Sequence, residues 1–181
     1  MIEEILRFNS LKELLKTRKD NKKNSLFLAG GTEINRLNGT GSGAKFLGMS
    51  LEGLGLNRIE KKDNGVHIGA MVTLQQLIDD PRIPEYLKVA AGFAGSRTLR
   101  NMATLGGNVG ALRDDSYLVP TLIAAKARLI TAELQDGGTV ESEDVPIREF
   151  IDNIQEFNDC CIVGVSLNKH GRCVVTKRYS R

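Results

Sequence analysis

Twice in 181 residues the chain sets two adjacent glycines beside a threonine and an asparagine. The first motif is LFLAGGTEIN, Leu26 to Asn35, and the second is NMATLGGNVG, Asn101 to Gly110. Adjacent glycines cost backbone entropy and are kept where a side chain would obstruct a tight turn or a close approach. The first pair ends an apolar run, Leu26 to Ala29, that reads as a buried strand, and leads toward a short helix-like segment. The second follows a stretch that reads as helix and is itself read as a loop. Exposed N–H groups at such bends form a concave anion site, and Thr32 and Thr104 each add a hydroxyl. Two such bends facing each other can clamp a pyrophosphate and its attached ribityl or ribose, through hydrogen bonds about twice as strong as neutral ones. Neither motif is the G-x-G-x-x-G dinucleotide fingerprint. The Gly/Ser run Arg36 to Gly43 lacks the Lys-Ser/Thr ending of a P-loop and is read as a flexible connection.

Around these motifs the pattern mixes hairpins with helices, which argues for an α+β fold rather than a doubly wound parallel sheet. Ile5 to Phe8 reads as a first strand. Ser10 and Glu13 form a capping box opening a helix with Leu11, Leu14 and Leu15 on one face, so the N-terminal part is a β-α-β unit. Ala44 to Ser50 is a strand. Asn57 to Glu60 and Gly65 to Met71 form a hairpin whose Asn64-Gly65 step suits a type I′ turn. Thr73 and Gln76 make a second capping box, and Pro84 stands at a helix start. Helical, strand and turn signals follow in order: Ser116 to Lys126 helical, Ala127 to Leu134 strand, Asp136 to Gly138 turn, Thr139 to Val145 strand, Arg148 to Ile154 helix. Asp159 to Leu167 and Arg172 to Ser180 are two more strands, joined by the turn Asn168 to Gly171.

Composition removes several classes of function. There are 25 basic and 22 acidic residues, a net charge of +3, and 5% aromatics without tryptophan. That balance does not call for nucleic acid, and single-strand stacking platforms are not expected. Apolar stretches are interrupted by charge well short of the about 20 residues a membrane span needs. The acidic start MIEEILRF carries no signal-peptide pattern, so a cytoplasmic location with reduced thiols is expected. Cys160, Cys161 and Cys173 show no C-x-x-C spacing, so neither a metal site nor an iron–sulfur cluster is expected. Cys160 and Cys161 alternate across a strand and are read as core, while His67 and His170 are read as structural or exposed. Arg97 and Arg100 are read as surface charge, with a phosphate or a partner subunit as the alternative.

LAGGTEIN followed at a distance by RNMATLGGNVG resembles the FAD-binding subunit or domain of the molybdenum hydroxylases, the xanthine dehydrogenase and carbon monoxide dehydrogenase medium-subunit family. The segments VHIGAMVTLQQLIDD, DGGTVESEDVPIREFI and TKRYSR extend the resemblance in order over nearly the whole chain. The resemblance implies a two-lobed FAD-binding domain of the vanillyl-alcohol oxidase/molybdopterin dehydrogenase type. Residues 1–55 would form a small βαβ lobe and residues 56–181 a larger α+β lobe. The family's C-terminal domain is expected to be missing. FAD would lie between the lobes on Leu28, Ala29, Gly30, Gly31, Thr32, Glu33, Ile34 and Asn35, and on Ala103, Thr104, Leu105, Gly107 and Asn108. Ile162 would sit against the flavin and Lys177 would reach the cofactor. No catalytic acid or base and no metal ligand is expected in this chain. The implied role is an electron-transfer subunit of an FAD-dependent oxidoreductase of the xanthine dehydrogenase kind. It would take electrons from an iron–sulfur subunit that serves a molybdopterin-binding subunit, and pass them to an acceptor such as NAD. The chain departs from the family where Tyr117 replaces a cofactor-binding Asp, with Asp114 and Asp115 as neighbouring substitutes. The alternative is a fold relative with a degraded FAD site that acts as a structural or regulatory partner.

Overall fold

The structure is a computed structural model and describes residues 2–22, 24–37, 45–169 and 174–177. β1 (Ile2–Arg7) leads to Ser10, whose hydroxyl accepts the Glu13 amide and caps α1 (Leu11–Asp20). The expected box is half made: the Glu13 carboxylate accepts from the Asn9 amide at 3.3 Å, one residue before the cap. β2 (Ser25–Leu28), α2 (Thr32–Leu37) and β3 (Phe46–Ser50) follow. β3 lies between β1 and β2 and parallel to both, so the β-α-β unit closes around the strand that comes third.

The second sheet is antiparallel throughout, in the order β4-β5-β8-β6-β7. Its strands are β4 (Ile59–Lys62), β5 (Gly65–Gly69), β6 (Arg128–Leu134), β7 (Val140–Pro146) and β8 (Cys161–Asn168). Between β5 and β6 run α3 (Leu74–Asp79), α4 (Glu85–Gly92), α5 (Arg97–Met102), α6 (Leu105–Ala111) and α7 (Leu118–Ala124). Next, α8 (Ile147–Asp152) and a 3-10 turn connect β7 to β8. Helices and strands are segregated in the larger part, which is the α+β arrangement the mixed pattern predicts.

Two apolar clusters organise the molecule. The larger packs α3, α4, α6 and α7 on one face of the antiparallel sheet, with Ile68, Leu74, Leu77, Leu87, Leu105, Leu122 and Leu129 fully buried. The smaller joins the two sheets: Phe8, Leu14, Leu15, Met49 and Leu51 from the parallel part pack with Ala132 of β6 and Cys161 of β8. Polar contacts reinforce this seam. The Arg18 guanidinium donates to the Ser25 carbonyl and, at 2.7 Å, to the Asn158 carbonyl. The same guanidinium lies 5.5 Å from the centre of the Phe27 ring, and Lys19 pairs with Asp136 at 2.6 Å.

Two expectations are corrected. The hairpin between β4 and β5 pairs Lys62 with Gly65, so its loop residues are Asp63 and Asn64. Neither has the positive φ that a type I′ turn demands, so the turn is of another type. The second glycine motif is not a loop: Gly106 and Gly107 lie inside α6, capped by Thr104, which accepts the Gly107 amide at 3.1 Å. Glycine disfavours a helix interior by about 1 kcal/mol. Here the burial of Leu105 and Val109 on one helix face, and the close approach described below, override that preference. The expected turn Asn168 to Gly171, His170, Cys173 and most of the last expected strand lie outside the described residues; Val174–Lys177 carry no strand.

His67 sits half-buried in β5, facing Ser166 of β8 and Glu60 of β4. Its ring occupies space that Gly164 leaves open, since a Cβ there would come within 2.5 Å of the His67 ring carbon. Burial lowers the imidazole pKa below its ordinary 6.5, partly opposed by the nearby Glu60 carboxylate. A depressed histidine binds fewer protons folded than unfolded, so its contribution is present at neutral pH. That contribution is lost as the pH falls below about 6.5, the unfolded value. His67→Gln should therefore lose less thermal stability than the parent between pH 7 and pH 5, measured by melting curves at each pH. Equal losses would contradict the burial effect.

Candidate cofactor site

The two glycine motifs meet. β2 delivers the chain to the turn Ala29–Gly31, and α5 delivers it to Ala103 and Thr104. A Cβ on Gly30 would stand 1.9 Å from the Met102 carbonyl oxygen, and one on Gly107 would stand 3.4 Å from the Ala29 Cβ. Gly30 is thus glycine because another backbone passes where its side chain would be. Gly106 answers the same need one step deeper, where a Cβ would fall 2.6 Å from that of Ala70.

Between the motifs opens a cleft of about 1130 Å³. That exceeds the roughly 300–1,000 Å³ of ordinary small-molecule pockets and suits an extended ligand of dinucleotide size. Ala29, Gly30, Gly31, Thr32, Glu33, Ile34, Ala103, Thr104, Gly107, Asn108 and Ile162 all line it. Leu28, Leu105 and Lys177 do not. Leu28 ends β2, half-buried behind the turn; Asn35 is in α2, and its side chain lies outside what the structure describes. Leu105 is fully buried in the larger core, and Lys177 is exposed outside the cleft lining.

The two motifs offer different chemistry. The amides of Gly30, Gly31 and Thr32 meet no protein acceptor among the described residues, so this turn presents donors to the cleft. The second motif has spent most of its amides, the Thr104 amide alone among Ala103–Asn108 meeting no acceptor among the described residues. Leu105 donates to the Val72 carbonyl and Gly106 to the Ala70 carbonyl, each at 2.9 Å, and Gly107 donates to the Thr104 hydroxyl. An even grip by backbone amides from both sides is therefore corrected to an uneven one, with Gly30, Gly31 and Thr32 on the first side and only Thr104 on the second. The second motif supplies a close wall, and the side chains of Thr104 and Asn108.

Three further groups at the cleft are not apparent as a set from the sequence. Arg113 pairs with Glu33 at 3.0 Å across 80 positions of chain, and its Nε donates to Asp115 at 2.7 Å. These hydrogen bonds raise the Arg113 pKa further above its ordinary value, Asp115 contributing most. Leu112 directs Arg113 there through a left-handed φ of 42°, and Ser116 donates to Asn108 at 2.8 Å to hold the following turn. Tyr117, in place of the expected acid, also lines the cleft and meets Phe93 edge-on at 5.1 Å between ring centres. Cys160 and Cys161 lie at the far wall. Burial, the larger cause in each, pushes their thiols up to about 11 and about 12, so neither is a nucleophile at neutral pH. Arg100 is not among the described residues that line the cleft: it donates to Gln75 of α3 at 3.1 Å, to the Gly92 carbonyl at the end of α4 at 3.4 Å and to the Gly95 carbonyl at 2.6 Å. Among the described residues no group of three or more His, Cys, Asp or Glu is placed to hold a metal, and no helix is long and apolar enough to cross a membrane.

A glycine-walled, donor-rich cleft at the edge of a small parallel sheet defines a dinucleotide-binding domain. Residues 2–163 match the family described as the FAD binding domain in molybdopterin dehydrogenase, and the chain belongs to that family, whose cofactor is FAD. Among curated proteins it is 32% identical to the uncharacterised protein YgfM of Escherichia coli K12, over 97% of this chain and 68% of that one. It is also 32% identical to xanthine dehydrogenase of Dictyostelium discoideum, over 78% of this chain and 12% of that one. The fold matches a chain of the Cu,Mo-CO dehydrogenase with a TM-score of 0.82 at 17% identity, over 94% of this chain and 60% of that one. It matches a chain of quinoline 2-oxidoreductase from Pseudomonas putida 86 with a TM-score of 0.79 at 19% identity, over 94% and 60%. The chain thus spans about three fifths of the solved chains it matches.

Proposed function

We propose that this chain is the FAD-binding electron-transfer unit of a molybdenum-containing hydroxylase or dehydrogenase. It receives electrons through an iron–sulfur subunit from a molybdopterin-binding subunit and passes them to an acceptor such as NAD. The observation that carries the reading is the approach of Gly30 to Met102, which brings the two motifs onto one cleft, with amides on its first side that meet no acceptor among the described residues. In this reading the Gly30, Gly31 and Thr32 amides hold the diphosphate, and Thr104 and Asn108 bind from the facing wall. Ile162 supplies apolar contact for the ring system. The small lobe, residues 1–55, carries the donor turn, and residues 56–181 carry the wall. Bound FAD supplies a two-electron store, while the protein binds and orients it and limits water around it. A cytoplasmic setting with reduced thiols fits this role. The likeness to a xanthine dehydrogenase at 32% identity supports this reading.

Titration of the chain with FAD, followed by quenching of flavin fluorescence, should show saturable binding at one FAD per chain. Affinity capture from cells should recover a molybdopterin-binding chain and an iron–sulfur chain. Absence of saturable FAD binding would instead support a structural partner with a decayed site, the alternative that Tyr117 in place of the expected acid motivates.

A further inference from the structure

A second cavity, of about 510 Å³, opens at the far end of β8 from the cofactor cleft. Ile162, near the start of that strand, lines the cleft, whereas Leu167 lines the cavity, roughly 17 Å further along the extended backbone. The volume falls within the range of ordinary small-molecule pockets. The floor is apolar: Val66 of β5 stands opposite Leu167 in the ladder, and both are buried. The walls are held in place. Pro81 and Pro84 fix the backbone between α3 and α4. Arg82 between them donates to both carboxylate oxygens of Asp80 and to the Ile59 carbonyl, which ties that connection to β4. Thr121 of α7 and Thr176 hydrogen-bond at 3.1 Å, which holds the segment carrying Val174 beside the helix whose last residue, Ala124, lines the cavity.

The charge around this cavity has one sign. Lys61, Arg82 and Lys169 line it, with no carboxylate among the described lining residues. The residues outside the described ones include no Asp or Glu, so no acidic side chain is left to compensate. Arg82 is matched by Asp80, but Lys61 and Lys169 make no ion pair and no side-chain hydrogen bond among the described residues. The hydroxyl of half-buried Tyr86, also in the lining, has no partner there either. An apolar pocket with a few convergent polar groups is the usual form of a ligand site, and two unmatched ammonium groups with a free hydroxyl set the sign of the ligand. We propose that this cavity is a second binding site, for a small organic anion whose charged group is carried on an apolar ring or chain. The anionic group meets the ammonium groups of Lys61 and Lys169, and the apolar body rests on Val66 and Leu167. Binding involves no bond-making step and does not rest on the FAD reading.

The test uses two anionic probes, 1-naphthoate and 1-naphthyl phosphate, and neutral 1-naphthalenemethanol as the control. Each is titrated calorimetrically into the whole chain, with and without FAD. At least one anion should bind saturably at one per chain, about tenfold or more tighter than the alcohol, and FAD should not displace it. The tighter anion tells a carboxylate site from a phosphate site. Lys61→Gln and Lys169→Gln combined should weaken it by about tenfold, with an unchanged melting temperature because both side chains are exposed. Ala124→Trp, at an exposed helix end, should fill the cavity and abolish binding; if that variant does not fold, the lysine pair carries the test. FAD affinity should stay within about threefold of wild type in every variant. Failure of both anions to saturate overturns the inference, as does equal affinity for the alcohol or full affinity in the lysine double variant. Displacement of the anion by FAD would put the probe in the cofactor cleft and also overturn it. A chain that binds no FAD but still binds the anion leaves this inference standing while the cofactor reading falls.

Discussion

Gly30→Ala is expected to weaken FAD binding by about two orders of magnitude, equivalent to about 2.7 kcal/mol. The new methyl would lie 1.9 Å from the Met102 carbonyl oxygen, and the obstacle is backbone rather than the end of a flexible side chain. One of the two motifs must retreat. Forced overpacking costs typically 1–3 kcal/mol, and the displaced parts are the donor turn and the facing wall. Gly31→Ala serves as the comparison. There the nearest atom is the Leu28 Cδ1 at 3.8 Å, so space is available, and the penalty arises from a left-handed φ of 69°. That strain is about 1–2 kcal/mol and is spent on the turn alone. FAD titration of both variants checks the order; unchanged affinity in Gly30→Ala would mean that the contact between motifs does not shape the site.

Leu105→Ala should destabilise the fold by about 2–5 kcal/mol, the range for emptying a fully buried leucine site. For a chain of this size that lowers the melting temperature by roughly 10 °C. FAD affinity of the folded protein should stay within about threefold of wild type. The sequence groups Leu105 with the cofactor contacts because it stands inside the ATLGGN motif. In the structure its side chain is fully buried among Val72, Leu74, Val109 and their neighbours, and its amide is held by the Val72 carbonyl. A variant of normal stability that fails to bind FAD would reverse that assignment.

Local chemistry made most of the elements readable. Ser10 and Thr73 mark helix starts that the structure reproduces, because a cap is decided by residues three or four apart, and Pro84 marks another through its fixed φ at the helix entry. The strands of the antiparallel sheet were also legible, together with the turn at Asp136–Gly138. What failed was decided at long range. α6 is a helix despite its three glycines because residues 70–74 pack against it, and no local propensity reports that contact. The donor side of the cleft could be inferred from the first motif, whereas the Leu105 and Gly106 amides of the second are taken by Val72 and Ala70, more than thirty residues upstream. The Glu33–Arg113 pair was likewise invisible: neither residue is unusual in its own neighbourhood, and only folding brings them together. Arg100, read as surface charge with a phosphate or a partner subunit as the alternative, ties α5 to α3 and to the end of α4.

The apolar cluster that fuses the parallel and antiparallel sheets has a mechanical corollary. Phe8, Leu14 and Met49 share one dry mass with Ala132 and Cys161, so a hinge between the sheets would have to wet that mass to move. The aperture for the dinucleotide is consequently set when the polypeptide folds. Because Leu51 and Cys161 belong both to that mass and to the lining, substitutions at the seam acquire leverage over the width of the opening.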